Sequence, residues 1–164
     1  MKKAAFWLGI LICFAGMELL YAAAPVIQNG STVAFHYALT VDGRVVNSSQ
    51  GKQPLTYVQG MGQIIPGLEE QLQGLKRGDK RRIIVPPAKA YGHVDQDAYQ
   101  NLPRKSFRNA KALKVGSIVN GEFGGKPVQA TVLAINDGMV TLDLNHPLAG
   151  KTLQFDIEVV DVRP

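Results

Sequence analysis

The chain of 164 residues holds one cysteine, Cys13. No disulfide can form within it, and a cysteine-built metal or redox centre is excluded. Because Cys13 lies in the amino-terminal segment, a body released from that segment has no thiol, which suits an oxidising compartment. Its three histidines, His36, His93 and His146, fall at no metal-ligand spacing, so no metal site and no cofactor is expected. Gly60-Met61-Gly62 lacks the third glycine and the long following helix of a dinucleotide cradle. No GxSxG elbow occurs, and no base is marked beside Ser48 or Ser49, so nucleophilic catalysis has no support. The 18 basic and 13 acidic residues leave a net charge of +5. The one basic cluster, Lys76, Arg77, Lys80, Arg81 and Arg82, reads as a solvated turn and strand edge rather than a nucleic-acid surface.

What is present begins with an export signature. Met1-Lys2-Lys3 precedes an apolar stretch from Ala4 to Met17, and small residues occupy positions 22–24. This is the pattern of a secretory signal peptide over residues 1–22, cut after Ala22 or Ala23 because Pro25 disfavours a cut after Ala24. An exported, periplasmic protein is expected. The alternative is an uncleaved anchor facing the periplasm, since residues 4–24 could just span a bilayer, and only then is a membrane involved.

Further along, Val33, Phe35, Tyr37, Leu39 and Val41 alternate with Ala34, His36, Ala38 and Thr40, the period of a half-buried strand. Asp42-Gly43 turns it back into RVVNSS. Leu55 to Val58 is a short strand ending at Gly60 and Gly62. At Pro66 the period changes: Leu68, Leu72 and Leu75 make a stripe, with Pro66 in the first turn, Glu69 and Glu70 near the positive end of the dipole, and Gly74 at the exit. A helix of about two turns is unstable alone, so it must lie on a sheet. Strands follow at Asp79 to Pro86 and, after a long middle section, at Leu153 to Val159. The middle section holds VGSIVNGEF, KPVQATVLAI and MVTLDL, which read as three strands joined at Gly124-Gly125 and Asn136-Asp137-Gly138. Residues 93–146 are then an insertion, and residues 30–92 with 147–164 a discontinuous parent domain.

With acid, base, nucleophile and metal unsupported, the candidates are apolar and aromatic side chains at strand ends and turns: Tyr37, Val46, Leu55, Ile64, Ile65, Leu68, Tyr91 and Phe155. Periodicity alone reads them first as core.

HYALTVDGRVVNSS, QGMGQIIPGLEEQLQGLKRGDKRRIIVPPAKAYG and the final LQFDIEVVDV together resemble the FK506-binding (FKBP) family of peptidyl-prolyl isomerases. NHPLAGKTLQFDIEVV behind the insertion is similar to the SlyD-like subgroup, which carries a chaperone lobe in the flap. The resemblance covers about residues 30–164. It implies an α+β fold, a bent antiparallel sheet around one short helix, with a small, mainly β lobe inserted. It implies that Tyr37, Asn47, the Ile65 N–H, Tyr91 and Phe155 act on the prolyl bond, and that Val46, Leu55, Ile64, Leu68, Leu148 and Ala149 complete the pocket. Many members have aspartate at Asn47, an aromatic at Val46 and tryptophan at Leu68. These departures imply altered specificity and at most weak binding of FK506-like macrocycles.

The subgroup's client-binding role implies contacts from Phe107, Val119, Phe123, Val132 and Met139 of the lobe, where apolar residues exceed what a thin lobe readily hides. Expected partners are unfolded or proline-containing polypeptides, met by a monomer. Relatives often carry a histidine-rich tail, whereas this sequence closes Val162-Arg163-Pro164, so no nickel role is expected. The rival expectation is a holdase with a catalytically poor cleft.

Overall fold

The computed structural model describes residues 24–164, the side chain of Phe123 excepted. The expected signal segment therefore lies outside the described residues. No helix among those described is long and apolar enough to cross a membrane.

The alternating first segment forms β1, Thr32–Val41, whose two edges organise the parent domain. One edge carries β3, Leu55–Val58, along its first half and β2, Arg44–Ser48, along its second. The other pairs throughout with the carboxy-terminal strand β9, Leu153–Arg163, which in turn pairs with β4, Lys80–Val85. All pairings are antiparallel. Asp42 (φ 49°) and Gly43 (φ 77°) both adopt positive φ, the two-residue turn that matches strand twist. Register shifts occur between Leu39 and Thr40 against β2, and between Ala34 and Phe35 against β9. Each extra residue sharpens the local twist, which is how the sheet bends.

The helix α1, Pro66–Leu72, lies in that bend with Pro66 in its first turn. It buries Leu68 and Leu72 in one cluster with Phe35, Ile83, Val85, Leu153 and Ile157 of the sheet. Gly67 makes the close approach possible: a Cβ there would stand 2.6 Å from Val85 Cγ1 and 2.8 Å from Lys89 Cβ. The core also reaches further upstream than position 30. Ile27 is buried, its N–H donates to Leu75 O (2.7 Å), and its carbonyl accepts from Gly74 N (2.9 Å).

The insertion folds as a second antiparallel sheet. Its order is β5 (Tyr99–Pro103), β8 (Met139–Asp143), β7 (Lys126–Asn136), β6 (Ile118–Phe123). The last three are the expected strands. β5 is an addition: YQNLP has no clean alternation, and its proline sits at the end of an edge strand, where the missing N–H costs no ladder bond. Among the described residues the lobe's buried centre is Ala130, Val132, Val140 and Leu142, with Phe107, Leu113, Val119, Ile135 and Leu144 packed around it.

Candidate functional site

The concave face of the parent sheet and the start of α1 enclose a cleft of about 440 Å³. β1 supplies Tyr37 and β9 supplies Phe155, their ring centroids 6.3 Å apart and their planes tilted by 57°. Behind Tyr37 stands Phe35, 6.2 Å away and fully buried, which meets Tyr57 edge-on at 5.7 Å. These tilted and edge-on contacts suit the quadrupoles of the rings and fix the cleft's aromatic wall. Leu68 from the helix and Leu55 from β3 add aliphatic surface, and Ile64 and Ile65 line the cleft at the helix entrance. Tyr91 lines it from the segment after β4, remaining 41% exposed.

Two polar side chains join this lining, Asn47 and Gln63. Gln63 Oε1 accepts the Val58 N–H at 2.8 Å, which fastens the end of β3. Asn47 makes no side-chain hydrogen bond among the described residues and lies opposite Leu39 in the β1–β2 ladder. The strand that carries it is secured just beyond by Ser49, a buried residue two positions on. Ser49 Oγ accepts the Tyr37 N–H (2.9 Å), and Ser49 N donates to Tyr37 O (3.0 Å). Ile65 precedes α1, where its carbonyl accepts from Leu68 and Glu69, while its N–H finds no acceptor among the described residues.

Beneath the cleft, the Tyr57 hydroxyl donates to Gln59 Oε1 at 2.7 Å, and Gln59 Nε2 donates to Glu69 O. Glu69 Oε1 also accepts the Gly60 N–H at 2.8 Å. This chain binds the β3 exit to the helix. Burial, aided by the Glu69 charge, pushes the Tyr57 phenol well above its ordinary pKa, so it stays a donor at any physiological pH.

The structure thus brings together Tyr37, Asn47, Leu55, Ile64, Ile65, Leu68, Tyr91 and Phe155. It does not bring in three others. Val46 is the extra residue of the β2 bulge, because Asn47 pairs with Leu39 and Val45 with Thr40; it is 53% exposed and outside the lining. Leu148 packs on the parent core instead, and Ala149 is buried in a turn closed by its own N–H to His146 O. Phe35, Leu39 and Gln63 are additional lining residues. The first two could have been read from Tyr37, since strand neighbours two positions away share its face.

In the lobe, Phe107 and Val119 meet in a second hollow of about 220 Å³, with Leu102 and Leu142. Val132 is fully buried beneath the sheet and cannot touch a client in this conformation, since its packing closes the lobe's small core. Met139 is 40% exposed at the β7–β8 hairpin, away from that hollow. The Phe123 side chain is outside what the structure describes. Among the described residues no group of three or more histidine, cysteine, aspartate or glutamate side chains comes together.

Among the described residues no carboxylate, imidazole or ammonium lines the parent cleft. It can strip water from an apolar ring and a carbonyl and offer neutral hydrogen bonds.

Residues 24–160 match the family model described as FKBP-type peptidyl-prolyl cis-trans isomerase. A probable FKBP-type 16 kDa peptidyl-prolyl cis-trans isomerase of Pseudomonas fluorescens is 37% identical over 138 residues, covering 84% of this chain and 92% of the relative. The FKBP-type isomerase SlyD of Treponema pallidum is 38% identical over 84% of this chain and 78% of its own. SlyD of Escherichia coli K12 is 39% identical over 76% of this chain and 63% of its own.

Proposed function

From the premise that the chain belongs to the FKBP-type peptidyl-prolyl cis-trans isomerases, we propose that it isomerises X–Pro bonds in unfolded or partly folded exported proteins. The inserted lobe holds such clients while the cleft acts on them. The observation that carries this reading is the cleft itself: aromatic and aliphatic walls and, among the described residues, no ionised group in the lining and no intrachain acceptor for the Ile65 N–H.

The physical argument starts from the amide. Its barrier of about 18–20 kcal/mol reflects resonance, which places charge on the carbonyl oxygen in the planar form. An X–Pro bond left to itself exchanges in tens to hundreds of seconds. Seating the proline ring between Tyr37, Leu68 and Phe155 removes the water that stabilises the planar, charge-separated form. The Ile65 N–H orients the peptide by taking a substrate carbonyl, the Tyr91 hydroxyl takes a second backbone group, and the twisted form loses less than the planar one. No acid, base or nucleophile is required. Export to the periplasm, supported by Lys2, Lys3 and the apolar segment after them, would supply unfolded chains as substrates.

The lobe's part rests on its exposed apolar side chains, including Val115, Ile118 and Met139, and on the Phe107–Val119 hollow. A client held there raises the local concentration of its prolyl bonds at the cleft. One observation favours the alternative of a holdase with little isomerase activity: Val46 is exposed outside the cleft and adds no apolar surface to its lining. Exchange spectroscopy on a short X–Pro peptide decides between them. The full chain should raise the cis/trans rate, and Tyr91→Phe should lower that gain several-fold. No acceleration by the intact chain would refute the isomerase reading.

A further inference from the structure

Tyr91 is placed at the cleft but is not held there by any hydrogen bond of its hydroxyl among the described residues. What fixes its ring is a stack. The imidazole of His146 lies parallel to the phenol, with centroids 3.7 Å apart and planes within 5°. The two residues flank the length of the insertion, Tyr91 just before it and His146 at its last position.

His146 is itself held firmly. Its Nδ1 accepts the Leu148 N–H at 3.1 Å, and its carbonyl accepts the Ala149 N–H at 2.8 Å. Leu148 packs on the parent core, and Gly150 N donates to Gly92 O at 2.8 Å, tying this turn to the residue after Tyr91. On the lobe side, the Asn145 side chain bridges the two connecting segments: it accepts from Asp95 N (2.9 Å) and donates to Asp95 O (2.8 Å) and to Asp143 Oδ1 (2.8 Å). The imidazole therefore sits at the junction of cleft and lobe with its plane set by backbone bonds on the parent side.

We infer that His146 is a positioning residue of the isomerase cleft: its ring fixes the Tyr91 phenol in the orientation that meets substrate. An unstacked tyrosine at this exposure would sample other rotamers and present its hydroxyl only part of the time. The stack also makes Tyr91 sensitive to the segment that leaves the lobe, because Asn145 and His146 are consecutive. This inference rests on the isomerase reading.

The test is a double-mutant cycle on kcat/KM for a short X–Pro peptide, using the full chain. His146→Ala should reduce kcat/KM roughly two- to tenfold, the range a well-formed aromatic pair provides. His146→Phe, which keeps a ring but not the Nδ1 acceptor, should recover most of that loss. In a Tyr91→Ala background, His146→Ala should cost nothing further. A merely structural role predicts the opposite, the same loss in both backgrounds, and that result would overturn the inference. So would a His146→Ala or Tyr91→Ala chain as active as wild type. In either case an active wild type leaves the isomerase reading intact, whereas an inactive wild type removes both.

Discussion

The parent domain and the inserted lobe are both antiparallel sheets, yet they bury apolar surface very differently. In the parent domain a helix closes the concave face, and sixteen residues from Ile27 to Val162 form one continuous buried cluster. In the lobe four of the described residues form the buried core, and no α-helix among the described residues covers them. Each fully buried aliphatic side chain contributes on the order of 1.5–3 kcal/mol, so the parent domain has the larger reserve by far. A catalytic cleft needs walls held to fractions of an ångström, and the deep core supplies them. A surface that accepts many unfolded sequences benefits from shallow packing and exposed apolar side chains. The stability of each region matches the role proposed for it.

The strongest way to break this contrast is to hollow out each core in turn. Leu72→Ala removes the fully buried contact between α1 and the sheet and should cost about 3–5 kcal/mol. Denaturant unfolding would show it as a global loss, with isomerase activity falling as the cleft wall moves. Val132→Ala, at the centre of the lobe, should cost roughly 2 kcal/mol and act locally. Amide exchange should quicken in β6, β7 and β8 while β1, β4 and β9 keep their protection. Equal loss of protection in both sheets would mean that the two regions unfold as one and that the contrast is wrong.

A smaller effect sharpens the picture of the parent domain alone. Tyr57→Phe deletes the donor to Gln59 and should cost about 1 kcal/mol at neutral pH. The same phenol gives the domain an alkaline limit. Its pKa is raised by burial in the folded state, whereas in the unfolded chain it ionises near 10. The stabilising difference is complete below about pH 10 and declines above it, because only the unfolded chain then loses the proton. Melting temperatures above pH 10 should therefore fall less steeply for Tyr57→Phe than for wild type.

Much of the parent domain was legible from local chemistry. Asp42-Gly43 and Asp137-Gly138 announced their turns because both residues must take positive φ, and both pairs do. Pro66 marked the helix start, and the leucine stripe marked its buried face. β5 was not legible, since its residues show no alternation and only the fold brings them beside β8. Val46 was misplaced because a bulge changes which side chains face the cleft, and a one-residue register shift leaves no mark in the pattern. Assignment of the cleft residues came from the family resemblance, since periodicity could not separate cleft wall from core. The Tyr91–His146 stack escaped both, being a contact across the whole insertion.

The division of labour between the two sheets is the central claim, and a refolding assay tests it most directly. The full chain and a version whose residues 93–145 are replaced by a short loop, with His146 and its stack on Tyr91 retained, would each be given a short X–Pro peptide and a protein whose refolding is limited by proline isomerisation. The account predicts that the shortened chain keeps its peptide rate and loses most of its acceleration of refolding. Equal acceleration of the refolding protein by both chains would contradict it, because the lobe would then contribute nothing to the capture of clients.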